Sequence, residues 1–217
     1  MRLISFILFT FFANMLLAQN PSIKVLDTDF SKGRLQNEQS ITLSDAAKFH
    51  GHLCDGLVVG FLGLKETLYK LYTDSVIDRT NTRIVSKPSP CLTDIAIYLT
   101  GARYQFNTFY VSDSLNYLFI VQRIDNETTY GVKLRSGLKP LAIDSLGRLA
   151  TKGELDACGL DDLKKLETKF SEFLLSKNTE EIFIIEEIKK FKWKPNLKND
   201  FIKTDILNKK LKNCLPK

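Results

Sequence analysis

The chain has 217 residues, 44% of them hydrophobic and 26% charged, with a formal net charge of +6. That composition is ordinary for a globular protein with a real core, and it excludes fibrous, low-complexity and intrinsically disordered classes. The basic excess gathers in the tail between Lys189 and Lys217, where lysines interleave with Phe191, Trp193, Phe201, Ile202, Ile206, Leu207 and Leu211. That pattern reads as solvated faces of amphipathic helices, so no nucleic-acid partner is expected.

Residues 1–19 open with Met1-Arg2, an apolar run from Leu3 to Ala18, and then Gln19-Asn20-Pro21. One positive charge, a short hydrophobic region and a small residue before a polar stretch describe a secretory signal peptide, cleaved near Ala18 or Gln19. The run is broken by Asn14 and is shorter than the roughly 20 residues that span a bilayer. The expected location is therefore exported, periplasmic or secreted, with no stable membrane span after cleavage. Cleavage removes Arg2 as the one charged residue, leaving 30 basic against 25 acidic side chains, or +5.

Residues 20–40 are polar with scattered hydrophobes and read as an extended lead-in. Thr42 or Ser44 then caps a short helix through Ala46, Ala47 and Phe49. Leu57, Phe61, Leu64, Leu68 and Leu71 at helical spacing predict a second helix over 56–72. Gly60 and Gly63 within it cost helix propensity, which predicts close packing against another backbone. Thr82 to Ser86 reads as a strand, stopped by Lys87-Pro88-Ser89-Pro90. Helical character returns over Cys91–Thr100, with Gly101 as the C-cap.

Three strand-like runs, 106–111, 117–124 and 129–134, are joined by short polar turns and predict an antiparallel meander. The aromatics Tyr104, Phe106, Phe109, Tyr110 and Tyr117 there read as sheet core. Residues 137–153 read as a looser connection, 160–175 as a helix, 182–191 as strand or helix, and the tail as helical. Trp193 reads as packing. The elements mix without regular βαβ alternation, so the expected class is α+β, a mixed or antiparallel sheet packed against helices. The expected organisation is a core domain over 20–155 with a helical extension over 156–217 packed on it.

Both histidines of the chain fall within His50-Gly51-His52-Leu53-Cys54, beside one of four cysteines. Imidazole and thiolate are the side chains best suited to a borderline-soft metal or to proton transfer near neutral pH. His50 and His52 share a face if the backbone is extended, and His50 and Cys54 if it is helical. A turn at Gly51 converges any two of the three. Zinc takes four ligands in structural sites, or three and water in catalytic ones, so at least one ligand must come from elsewhere. Cys91 is the best candidate: it begins a predicted helix, where the positive end of the dipole favours thiolate. Asp94 and Asp55 are alternative ligands or partners that orient a histidine.

Phe49-His50-Gly51-His52-Leu53-Cys54-Asp55-Gly56-Leu57 with Gly60, followed by Cys91-Leu92-Thr93-Asp94 and Thr100-Gly101, resembles the FmdE family, named for a component of formylmethanofuran dehydrogenase. That family shows F-H-G-H-x-C-P-G, a helix with glycines, and C-x-x-D-A…T-G after a strand. The likeness runs over about residues 43–135. It implies an α+β domain whose cleft holds the His/Cys motif and binds metal, with His50, His52, Cys54, Cys91 and Asp94 as cleft residues. Asp55 stands where the family has proline, and Ala102 where many members have a further cysteine. No paired cysteines follow residue 101, so the zinc-ribbon module of some members is absent.

Three functions are consistent with this pattern. The first is an exported zinc protein, an enzyme if one coordination position stays open to a small molecule in the cleft. The second is a non-catalytic carrier of a metal or of haem. The third is a thiol-redox protein cycling Cys54 and Cys91 between dithiol and disulfide. Cys158 and Cys214 carry no motif, and a disulfide between them would tie the extension to the core. A homodimer is compatible with the sequence.

Overall fold

The computed structural model describes residues 20–195 and 209–210. The expected signal peptide and most of the expected helical tail, Cys214 included, lie outside the described residues. Among the described residues no helix is long and apolar enough to cross a membrane.

The extended lead-in is two strands, β1 (Ser22–Thr28) and β2 (Leu35–Thr42), paired antiparallel with Ile23 opposite Ile41. Ile23 and Val25, two apart, are buried on one face, as the two-residue period of a strand requires. A short strand the sequence reading missed, β3 (Val76–Asp78), joins β1 in parallel and completes a three-stranded sheet ordered β2-β1-β3.

Helix α1 (Leu43–His50) begins at a reciprocal capping box, in which Asp45 N donates to Thr42 Oγ1 and Thr42 N donates to Asp45 Oδ2, both at 3.1 Å. Helix α2 (Asp55–Leu71) follows, with Leu57, Val58, Phe61, Leu64 and Leu68 fully buried. A helix apolar on several sides must be surrounded. Accordingly α2 packs on strands β6 (Phe119–Arg123) and β7 (Thr129–Leu134), and on helices α3 (Pro90–Thr100) and α5 (Ala157–Ser176). Each large side chain so buried contributes about 1.5–3 kcal/mol. Gly60 and Gly63 do sit at close approaches, but to side chains, Leu92 and Ile95 in one case and Phe183 in the other.

Strand β4 (Thr82–Ser86) leads through the predicted proline stop into α3, which returns to β5 (Phe109–Val111). Because β5 pairs parallel with β4, the second sheet is ordered β5-β4-β6-β7-β8, with β8 spanning Phe183–Glu187. This corrects the expected three-strand meander. Of these three strands, β6 and β7 pair with each other, and β4 inserts between β5 and β6. Short turns in sequence suggested neighbours, but the α3 crossover delivers β5 to the far edge. Ile84, Phe119, Val121 and Val132 point from this sheet into the core.

Residues 137–153 also depart from expectation. They contain a helix, α4 (Leu141–Thr151), which packs on α5 and buries Ile143. Among the five aromatics expected in the sheet core, Phe109 is buried and Tyr104 is exposed. Trp193 does pack: its ring lies edge-on to Tyr110 at 4.7 Å and under the Arg83 guanidinium at 4.9 Å. The short helix α6 (Thr179–Ile182) precedes β8, which pairs antiparallel with β7. Two mixed sheets with helices against them make an α+β fold.

Candidate metal centre

The site forms where α1 ends and α2 and α3 begin. Gly51 closes α1 in the left-handed region, with φ 102°, and donates its N–H to Ala47 at 2.8 Å. Few L residues adopt that conformation, so the glycine lets the chain reverse directly after His50. The reversal turns His52 and Leu53 outward and brings Cys54 back as the N-cap of α2 in an extended conformation.

Cys91 arrives from the other side of the motif. Ser89 caps α3, and Pro90 occupies the first turn, where its missing N–H costs nothing. Cys91 follows directly, so both thiols sit at helix N-termini, the positive ends of the α2 and α3 dipoles. Close approach of the two helices depends on Gly56, since a Cβ there would stand 3.0 Å from Cys91 Sγ.

Three predicted residues converge. Ligand atoms of His50, Cys54 and Cys91 all lie within 4.8 Å of one another, and Cys54 Sγ is 3.5 Å from Cys91 Sγ. His50 has a side chain only 7% exposed, and its Nδ1 lies 2.7 Å from Asp94 Oδ2. Asp94 stands one helical turn after Cys91, which puts both on the same face of α3. With Nδ1 engaged by a carboxylate, Nε2 is the nitrogen left for an ion, and the ring is held in one orientation.

His52 is not in the group of three. It is exposed, and its ring stacks at a tilt over that of His50, with centroids 4.7 Å apart. Asp55, at the first turn of α2, is buried, and its Oδ2 lies 3.8 Å from Lys139 Nζ. Cys158 is exposed near the start of α5, and its expected partner Cys214 lies outside the described residues.

The two sulfurs divide one proton unequally. A hydrogen bond from Cys54, helped by His50 and Ser89, holds the Cys91 thiol down to about 6 against the effect of burial. The same hydrogen bond, with burial, pushes the Cys54 thiol well above its ordinary value. Of the two, Cys91 is the thiol whose anion the surroundings favour.

This donor set fits a zinc-type ion. Zinc bonds thiolate sulfur at about 2.3 Å and imidazole nitrogen at about 2.0–2.1 Å in tetrahedral geometry, which places neighbouring ligand atoms about 3.3–3.8 Å apart. Two thiolates on one ion need the upper end, about 3.8 Å, and the sulfur pair stands close to it at 3.5 Å. Cys54 and Cys91 would both ligate such an ion as thiolates, with loss of the thiol proton.

Sequence reasoning missed two charged neighbours. Lys139, just before α4, bridges Asp55 and Asp144, the latter at 2.7 Å. Burial opposes its charge, but Asp144 and then Asp55 hold its pKa above the ordinary lysine value. Glu167 on α5 has its carboxyl pushed up by burial and by Asp55, with Lys139 pulling the other way. Its signal was present in the sequence: a glutamate in register with Leu163, Phe170 and Leu174 on an otherwise apolar stripe. Two open hollows are lined by residues flanking the site, and His50, Cys54 and Cys91 line neither. One, of about 420 Å³, has Gly51 and Leu53 in its wall, and the other, of about 570 Å³, has Lys139 and Asp144.

A family model described as "FmdE, Molybdenum formylmethanofuran dehydrogenase operon" matches residues 49–184, more than half of the chain. The matched segment contains His50, Cys54, Cys91, Asp94, Lys139 and Glu167. No curated protein matches the chain.

Proposed function

This chain belongs to the FmdE family, and from that premise we propose that it is an exported zinc-binding protein with catalytic-type coordination. The ion is held by His50 Nε2, Cys54 Sγ and Cys91 Sγ. The convergence of these ligand atoms within 4.8 Å, with Asp94 fixing the imidazole at 2.7 Å, is the observation that carries this reading.

Zinc is favoured because two thiolates and an imidazole are soft and borderline donors, poorly suited to magnesium or calcium. Three protein ligands leave a fourth position for water or a small molecule. An ion so held polarises a bound oxygen or lowers the pKa of bound water. The protein's own contribution is positional: Asp94 holds the ring, and the two helix N-termini favour sulfur in its anionic form. Export is supported by the apolar run Leu3–Ala18 before Gln19.

Elemental analysis tests the assignment. Purified wild-type protein is expected to carry about one zinc per chain, and His50→Ala and Cys54→Ser to lose it. Unchanged metal content in both variants contradicts the site.

A second reading has its own support. Two thiols 3.5 Å apart, one held down to about 6, form a pair suited to dithiol–disulfide cycling. Mass mapping of the protein as isolated separates the two. A recovered Cys54–Cys91 disulfide favours redox cycling, and two reduced thiols with bound zinc favour the metal centre.

A further inference from the structure

A metal ligand must stay in place, yet the segment that carries His50 has little core beneath it. Helix α1 is eight residues long, and isolated helices shorter than about 12–15 residues are marginal in water. Its buried residues, Leu43 and Ala46, and its capping box all lie in its first half. Beyond them, no residue between Ala46 and Asp55 is fully buried. The last turn of α1 therefore draws little of its stability from the hydrophobic core.

Two contacts with α3 hold that turn. One is the pairing of His50 with Asp94 at 2.7 Å. The other comes one residue earlier on α1 and one turn later on α3. There the Phe49 ring lies nearly parallel to that of Tyr98, with centroids 5.0 Å apart and planes inclined by 12°. Cys91, Asp94 and Tyr98 follow one stripe of α3 at helical spacing. Thiol, carboxylate and aromatic ring thus share the face that meets the end of α1. Phe49 is 52% exposed, so the ring contact, and not core burial, is what it offers the fold.

We propose that Phe49 is a positioning residue for the metal centre: stacked on Tyr98, it holds the last turn of α1 against α3, so that His50 meets Asp94 and the thiols before an ion arrives. The inference rests on the reading of the site as a metal centre. Without the stack the turn frays, and ion binding must first restore it, which lowers affinity. A stacked aromatic pair contributes enough to change a binding constant by about three- to tenfold.

Cobalt titration of the full chain tests this, with the thiolate charge-transfer band as the signal. Wild type is compared with Phe49→Leu, Tyr98→Leu, the double variant and Phe49→Tyr. Phe49→Leu keeps an apolar side chain and removes the ring. It and Tyr98→Leu are each expected to weaken cobalt binding by about three- to tenfold. The double variant is expected to fall no further than either single one, because one interaction is lost in all three. Phe49→Tyr keeps the stack and is expected to bind as wild type does. Unchanged cobalt affinity in either single variant, whatever the urea midpoint of the metal-free protein, overturns this inference and leaves the metal centre standing. Losses that add in the double variant overturn it too, because the two rings would then act separately. Absence of the thiolate band in wild type overturns the metal reading and this inference with it.

Discussion

Asp94 Oδ2 meets His50 Nδ1 at 2.7 Å, joining the last turn of α1 to the first turns of α3. The pair holds the plane of an imidazole that lies beside two thiols and leaves Nε2 as the nitrogen not engaged by the carboxylate. Partners of this kind typically account for 10–100-fold in metal affinity. Asp94→Asn is therefore expected to weaken zinc binding by about that factor, measured by chelator competition, with the fold unchanged by circular dichroism. Equal affinity in wild type and variant would show that the carboxylate does not position the ring.

The thiol pair makes a prediction in pH. Cys91 is held down to about 6, so its thiolate is present above that pH and is lost by protonation below it. In metal-free protein, the rate of Cys91 alkylation by iodoacetamide is expected to rise through about pH 6, well below the ordinary cysteine midpoint of about 8.5. Removing the largest cause, the Cys54 hydrogen bond, by Cys54→Ala should move that midpoint upward. A wild-type midpoint near the ordinary value would mean the hydrogen bond does not favour thiolate on Cys91.

Gly56→Ala sets two effects against each other. Alanine gains up to about 1 kcal/mol in helix propensity. Its Cβ would stand 3.0 Å from Cys91 Sγ and 3.2 Å from Cys91 Cβ, and such overpacking costs about 1–3 kcal/mol. The crowding is expected to win, giving a lower midpoint in urea and weaker zinc binding. A more stable variant with undiminished affinity would show that α2 and α3 do not need this approach.

Away from the site, Phe61 on α2 is fully buried in the core between sheet and helices. Phe61→Ala is expected to destabilise by about 3–5 kcal/mol in equilibrium denaturation, the usual cost of an emptied aromatic site. A loss below about 1 kcal/mol would mean that α2 is not the centre of the core.

Much of the site was legible because rare residue types were concentrated in a few positions. His50, Cys54 and Cys91 announced themselves by chemistry, and Ser89-Pro90 before Cys91 gave the helix start that places the thiol at a dipole. What spacing left open was which of the two histidines would turn inward. The left-handed turn at Gly51 settles that, since it releases the chain after His50 and carries His52 to the surface. Glu167 sat on a readable apolar stripe, but that the stripe lies against α2, and that Lys139 ahead of α4 meets Asp55, depend on packing that local pattern does not encode.

In the fold, β4, α3 and β7 matched their sequence signals closely, since each has a clear period and a clear stop. Helix α4 was hidden among Gly137, Pro140, Gly147 and Gly153, which read as loop punctuation, although Pro140 in fact serves as its N-cap. The place of β5 at the sheet edge was hidden for another reason: strand order depends on where a crossover helix returns, and turn length does not report it.

The most direct measurement is X-ray absorption at the zinc edge on the wild-type protein. Two sulfur scatterers near about 2.3 Å, with one imidazole nitrogen and one further light atom near about 2.0–2.1 Å, are the predicted result. Oxygen and nitrogen neighbours alone would contradict it, because no ion bound in that way could sit between Cys54 and Cys91.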